Sequence, residues 1–251
     1  MLTRIKEKVK KWKQSQSIIL QIIYNTARYV WRFCFMLFDD ESRSHIKTRF
    51  RHRKFYYQRS TFTAPDRYPS LFKACAEYLK NIGQPHILSF GCSTGEEVLS
   101  LGEYIPDAVI TGVDINRWCL RQCRKKHKNS RYLFIHRFSE QFEKASEFNA
   151  IFCLAVFQRT ENRTNKNNST AKGFLFEQFE KEIAMLDTKL KHGGIFAIDH
   201  SDFSFTDTPT AKKYKTLPVK NNQTMRNRPL FDNNNQKITD SHSSLRLFIK
   251  I

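Results

Sequence analysis

Acidic residues are scarce in this chain: 24 Asp and Glu stand against 43 Lys and Arg, a formal net charge of +19 over 251 residues. That imbalance implies an anionic partner or surface and says nothing about fold. Cysteines are few and scattered, six in all at positions 34, 75, 92, 119, 123 and 153. Cys119 and Cys123 lie four apart on a predicted helix face, but no second His/Cys pair completes a zinc site, so no metal is expected. Free thiols in a reducing cytosol are the plain reading. The dinucleotide fingerprint G-x-G-x-x-G is missing, because Ser93 stands where its second glycine would fall, and this argues against NAD. No recognised nucleic-acid fold signature is present. Nor is there an uninterrupted membrane span. Ser17–Phe38 is strongly apolar, yet Gln21, Asn25, Arg28 and Arg32 line one narrow stripe of a helix. Arg28 near a bilayer centre would cost roughly 2.5–3.5 kcal/mol on insertion scales.

What is present is a globular composition, 40% hydrophobic and 14% aromatic. The length suits one catalytic domain with an extension, and we divide it into a basic helical extension, 1–59, and a domain, 60–251. Residues 1–60 hold 15 Lys/Arg against 4 Asp/Glu. Met1–Gln16 is Lys-rich, and Ser17–Phe38 reads as a helix lying in the plane of an anionic membrane or packing its wide face on protein. The protein is expected in the cytoplasm, with membrane association through residues 17–38 as one option. A second basic block, Arg43–Arg59, carries Phe50, Phe55, Tyr56 and Tyr57. It suits either RNA, by phosphate contact and base stacking, or a solvated basic helix whose aromatics face the core, and the second reading is preferred.

The stretch that organises the chain is His86–Asn116. An apolar strand leads into Gly91-Cys92-Ser93-Thr94-Gly95. Glu96 and Glu97 begin a helix, with acids where its dipole favours them. A second strand, Val109–Val113, ends in Asp114, about 20 residues after the first glycine. Strand, glycine turn, helix, strand and acid make a mononucleotide-binding half of a doubly wound sheet. Gly91 and Gly95 let backbone approach a ligand, and a carboxylate at the strand end can accept both ribose hydroxyls. An adenosine-containing cofactor follows.

Ser89-Phe90-Gly91-Cys92-Ser93-Thr94-Gly95-Glu96-Glu97 resembles the first motif of class I S-adenosylmethionine methyltransferases. It is most similar to S-A-G-C-S-T-G-E-E of the chemotaxis-receptor glutamate methyltransferases, with only Phe90 different. The resemblance covers roughly residues 60–205. It implies an α/β fold with a Rossmann-like, seven-stranded, mostly parallel sheet, and S-adenosylmethionine as cofactor. Gly91, Cys92, Ser93, Thr94, Gly95 and Glu96 would then face the methionine side, Asp114 the ribose, and Ile115 and Asn116 the adenine. After the third strand, Tyr132–Ile135, the chain has Phe138 and Ser139 where many relatives place an acid; Phe138 would flank the adenine, and Ser139 or its amide would replace the acid's hydrogen bond. Thr61–Arg67 is similar to the family's T-x-F-F-R segment, whose arginine faces cofactor and substrate, which makes Arg67 a candidate contact.

Asn149–Val156 resembles the family's D-x-I-F-C-R-N-V-x-I-Y-F, but Leu154-Ala155 replaces its Arg-Asn pair and Arg159 its substrate-contacting Tyr. Receptor-glutamate methylation therefore does not transfer, while Arg159 could clamp an anionic acceptor. Thr160–Ala171 reads as a polar loop and Phe174–Leu190 as an amphipathic helix. Lys191–Gly194 is a turn common in class I methyltransferases, leading into a strand, Ile195–Ile198. Asp199 and His200 close that strand. With His136 they are the candidate bases, His200 foremost because imidazole titrates near neutrality. The tail 221–235 is Asn-rich and turn-like, and Leu245–Ile251 reads as a strand that could reverse the sheet edge. The expected acceptor is an unidentified small molecule or protein, and no Asn-Pro-Pro-Tyr amine-binding motif is present. The alternative is a non-catalytic methyltransferase-fold scaffold that binds RNA or an anionic membrane through its basic N-terminal region.

Overall fold

The apolar runs pair into one sheet because each is buried on both faces, as parallel strands covered by helices must be. A computed structural model of the chain describes residues 17–57, 60–159, 168–170, 173–219, 229–238 and 246–251, with the side chains at 32, 35 and 37 also outside the description. The Lys-rich run 1–16, most of the polar loop 160–171 and much of the Asn-rich tail lie outside the described residues.

The chain divides into two compact units, the second beginning at Arg51. The reason is local. Tyr57 is 7% exposed, its ring 4.4 Å from Phe174 and 5.8 Å from Phe157, so the end of the second basic block belongs to the second unit's core. The first unit holds helix α1 (Ile18–Phe38) and most of α2 (Asp40–Arg51). Asp39 starts α2 by accepting the Ser42 amide at 2.8 Å, and Asp40 and Glu41 occupy its first turn. Along α1 Ile18, Ile19, Ile22, Ile23, Val30, Trp31 and Phe33 are exposed. No helix among the described residues is long and apolar enough to cross a membrane.

The second unit runs α3 (Pro69–Leu79), β1 (His86–Phe90), α4 (Glu96–Tyr104), β2 (Val109–Asp114), α5 (Arg117–Lys126), β3 (Tyr132–His136), α6 (Glu140–Lys144), β4 (Phe148–Leu154), α7 (Phe176–Asp187) and β5 (Leu190–Asp199). β6 (Tyr214–Thr216), a small hairpin of β7 (Leu230–Phe231) and β8 (Lys237–Ile238), and β9 (Leu247–Lys250) complete it. The sheet order is β3-β2-β1-β4-β5-β9-β6. β1 to β5 are parallel, and β9 lies antiparallel between β5 and β6. This is the doubly wound, seven-stranded architecture read from the sequence, with the reversed edge in place.

Lys191–Gly194 is the one local departure within the sheet. It is not a turn before the strand but part of β5, where Gly193 takes φ 73° and the pairing with β4 shifts register between Phe148 and Ala150. Glycine tolerates that conformation, so the chain bulges and continues.

Alternating strand residues feed two cores. Leu88, Phe90, Ile151, Phe196 and Ile198 face α6 and α7, with a cluster of buried phenylalanines. Ile87, Ile110, Phe152, Ile195 and Ala197 face α3, α4 and α5. Two polar anchors fix the edges. The Lys189 ammonium donates to the Phe142, Glu143 and Ala145 carbonyls at 2.8–2.9 Å, closing the C-terminal end of α6. Asp187, at the end of α7, meets Lys213, Lys250 and the Tyr214 hydroxyl at 2.8–3.0 Å, which docks β6 and β9.

Phe179 is fully buried, with Phe157, Phe174, Phe176 and Phe203 ring centroids 5.4–6.4 Å away. Phe179→Ala is expected to cost roughly 3–5 kcal/mol in denaturant unfolding. Phe50, 90% exposed, should change stability by less than about 0.5 kcal/mol when made Ala. Equal effects at the two positions would contradict this core.

Candidate functional site

The C-terminal ends of β1, β2, β4 and β5 meet where the order reverses between β1 and β4, the crevice in which doubly wound sheets bind ligands. The loop after β1 is built by backbone. Gly91 and Gly95 take φ 80° and 97°, and Ser93 between them takes φ 49°. The Gly91 and Cys92 amides donate to the Val113 carbonyl at 2.7 and 3.0 Å, folding the loop onto β2. A Cβ on Gly91 would come within 2.5 Å of Val156 Cγ2, and one on Gly95 within 2.8 Å of the His127 ring. Both glycines are therefore required by conformation and by space.

Asp114 ties this loop to the end of β2. Its Oδ2 accepts the Ser93 amide at 2.9 Å and its Oδ1 accepts the Asn116 amide at 2.7 Å. Burial raises its pKa to about 6, although the Asn116, Ser93 and Ile115 amides pull the other way. Asn116 in turn caps α5, accepting the Trp118 amide at 3.0 Å. The Ser93 hydroxyl donates to the Thr61 carbonyl at 2.8 Å, and the Asp66 amide donates to Ser100 Oγ at 2.8 Å. Residues 61–66 thus lie across the glycine loop and α4.

The two acids that open α4 diverge. Glu96 accepts from Thr94 Oγ1 at 2.6 Å and pairs with Lys126 at 3.3 Å, toward α5. Glu97 points inward, accepting from the Ser89 hydroxyl at 2.7 Å under the loop, and burial raises its pKa to about 8 against the Ser89 bond and the Arg67 charge. Sequence reasoning named Glu96 and missed Glu97. The signal was available, because β1 alternation turns Ser89 toward α4. Cys92 and Cys123 are buried beneath the loop, with the Cys123 thiol donating to the Ser93 carbonyl at 3.1 Å. Among the described residues, no group of three or more His, Cys, Asp or Glu could hold a metal ion.

On the β3 side, Phe138 is 40% exposed and stacks on His52, centroids 4.3 Å apart, with Phe55 edge-on at 5.1 Å. Ser139 departs from expectation. Its hydroxyl and its amide both donate to the His136 carbonyl, at 2.8 and 3.0 Å, while the hydroxyl oxygen caps α6. Its donors are committed within the turn and cannot replace the missing acid. Ile115 is half-buried, and its carbonyl accepts from His136 Nε2 at 3.1 Å. His136 therefore sits beside β2, apart from the other candidate bases.

The remaining candidates gather after β4 and β5. Leu154 is buried and pairs with Asp199. Ala155, at φ 61°, donates its amide to the Asp199 carbonyl at 2.9 Å. The Arg159 amide donates to Asp202 Oδ2 at 2.8 Å. Asp199 is 3% exposed. Its Oδ1 accepts the His200 amide at 2.6 Å and lies 3.1 Å from His200 Nδ1; its Oδ2 accepts Arg246 Nη1 at 3.1 Å. Burial would raise the Asp199 pKa, but the His200 bond and the His200 and Arg246 charges outweigh it and hold the carboxyl below its usual range. An ionised Asp199 therefore stands beside the His200 ring, with Oδ1 near Nδ1. Tyr68 Oη lies 3.3 Å from the same Nδ1. Arg67 is exposed, its guanidinium 5.2 Å from the Tyr68 ring centroid.

Glu97 gives a pH test. Its folded pKa is raised, so the native state binds a proton that the unfolded state has released; the stabilisation is full below about 4.5 and is lost as pH rises to about 8. Glu97→Gln should remove that decline, at most about 1.4 kcal/mol per pH unit, in unfolding midpoints measured from pH 4 to 9. Parallel profiles for the two proteins would refute the buried protonated carboxyl.

Residues 87–169 match a family described as a methyltransferase domain. A 136-residue stretch is 27% identical to the uncharacterized protein syc1184_c of Synechococcus sp. (strain ATCC 27144 / PCC 6301 / SAUG 1402/1), covering 52% of this chain and 29% of that one. The chain thus spans under a third of that relative's length. Among solved structures, the plantazolicin methyltransferase BpumL in complex with SAH is 18% identical, covering 78% of this chain and 61% of that chain at a TM-score of 0.37. PKMT2 from Rickettsia typhi in complex with AdoHcy is 18% identical, covering 57% and 25% at a TM-score of 0.38. Residues 87–169, which match the methyltransferase-domain family, include the glycine loop and Asp114.

Proposed function

We propose that the protein is an S-adenosylmethionine-dependent methyltransferase acting on an anionic acceptor. The observation that carries this is the glycine loop tied to Asp114 within the matched residues. The residues suit such a cofactor. A carboxylate offers about four lone-pair positions, and backbone amides use only part of that capacity at the half-buried Asp114, so ribose hydroxyls can still be accepted. Glu97, facing inward beneath the loop, would receive an ammonium group on giving up its proton. Phe138 and Ile115 offer apolar surface for an adenine.

S-adenosylmethionine supplies a methyl carbon already attached to a good leaving group, so orientation dominates the catalysis. The chain's own residues hold the acceptor and, where that is a hydroxyl or amine, take its proton. His200 Nε2 is the candidate base, with Asp199 Oδ1 3.1 Å from its Nδ1, and Arg246 helps keep Asp199 ionised. The likeness of the first motif to the chemotaxis-receptor enzymes supports the cofactor side only, since Leu154-Ala155 and Arg159 stand where that family recognises its substrate.

Calorimetry of S-adenosylmethionine on the purified protein tests the reading. Wild type should bind at micromolar levels, and Asp114→Ala should weaken binding by at least tenfold. His200→Ala should leave cofactor affinity within about twofold. A folded wild type that takes up no cofactor would sink the enzyme reading and leave a scaffold for the basic N-terminal region.

A further inference from the structure

Arg246 immediately precedes β9, where its carbonyl accepts the Ile198 amide at 2.9 Å. That bond sets the residue beside the last turn of β5, next to Asp199 and His200. Its side chain is buried, 6% exposed. Only one corner of the guanidinium is used, Nη1 to Asp199 Oδ2 at 3.1 Å. Nε and Nη2 are buried and without a hydrogen-bond partner. These two nitrogens form one edge of the guanidinium, the pair of parallel N–H groups that meets a carboxylate as a two-pronged fork. Buried donors are almost always paired, and a charged pair left unmade is costly. A charged donor edge without a partner among the described residues, on the arginine that pairs with Asp199, is therefore a candidate for a ligand.

We propose that the Nε/Nη2 edge of Arg246 binds a carboxylate of the methyl acceptor and sets the acceptor beside His200. The assignment rests on the methyltransferase reading for the word acceptor, but not for the carboxylate site itself. Planar shape and single charge favour a carboxylate over a phosphate dianion, because Asp199 already holds the neighbouring corner and would repel a second negative charge. The site also explains the hydrogen-bond pattern at Asp199. One carboxylate joins the group that orients the acceptor to the group that takes its proton, so anchoring and proton transfer share one rigid support. Tyr68, its ring 5.5 Å from the His200 ring and nearly perpendicular to it, supplies an aromatic wall on the other side of the imidazole.

The test uses the full chain and two probes of nearly equal shape, benzoate and benzamide, titrated by calorimetry. Wild type should bind benzoate saturably and at least tenfold more tightly than benzamide. Arg246→Met, which keeps the length of the stem, should lose that preference. Arg246→Lys, which keeps charge but not the fork, should fall between. Both variants should bind S-adenosylmethionine as wild type does. Benzoate binding no tighter than benzamide in wild type overturns the proposal, and so does a preference that survives Arg246→Met. The wild-type probe pair and Arg246→Lys decide the matter if Arg246→Met does not fold. Cofactor binding without a carboxylate preference would sink this site alone. A carboxylate preference without cofactor binding would sink the methyltransferase reading and keep the Arg246 site.

Discussion

The hydrogen bonds from the Ser93 and Asn116 amides to the Asp114 carboxylate are what the candidate site depends on. They hold together the loop after β1 and the turn after β2, two segments that leave adjacent parallel strands in the same direction. A loop containing two glycines is entropically costly to order. Here the cost is offset by one carboxylate, two amide bonds to the Val113 carbonyl, and the close packing of Val156 and His127 where glycine side chains would be. The same carboxylate is then available, half-buried, at the edge of the crevice. A ligand-facing role would be compatible with this structural one, because an acid has more acceptor capacity than two backbone amides use.

Much of this arrangement was legible in the sequence, and for physical reasons. Short apolar runs bounded by glycine and acid can be little else than buried parallel strands, so the β1–α4–β2 unit, Asp114 and the reversed β9 edge follow from pattern alone. The unreadable parts depend on tertiary partners. Tyr57 reads as one aromatic in a basic block, and only its packing on Phe157 and Phe174 places it in the second unit's core. Ser139 reads as a free donor, but a serine after a strand is also a good helix cap, and here the cap takes precedence. Arg246 is separated from Asp199 by 47 residues. No local pattern announces a pair formed between neighbouring antiparallel strands.

The charge excess resolves unevenly. Many basic groups of the second unit are committed to structure: Lys189 to the end of α6, Lys213 and Lys250 to Asp187, Arg137 to Glu182, Arg246 to Asp199. Arg137 is also enclosed by Phe55, Phe90, Phe138 and Phe142, with its guanidinium carbon 5.0–6.0 Å from each ring centroid. Such a cation is part of the core, not of a solvated patch. A high net charge therefore says less about this unit's partners than its count suggests, and the charges that carry information are those with unused donors.

Backbone strain marks the same location as the polar geometry. Ser93, Ala155 and His200 are non-glycine residues with φ of 49°, 61° and 53°, and they follow β1, β4 and β5, three neighbours in the sheet. Each costs on the order of 1–3 kcal/mol and persists only where surrounding bonds over-determine it. Two of the three are held by Asp199: its carbonyl accepts the Ala155 amide and its carboxylate accepts the His200 amide. The third is held by Asp114 and Thr61. Strain that merely ended strands would be spread around the sheet and would favour glycine. Asp66, Glu147 and Asn235 also take positive φ elsewhere, but the coincidence of three such residues at the ends of adjacent strands, held through Asp199 and Asp114, is consistent with turning particular side chains into one crevice.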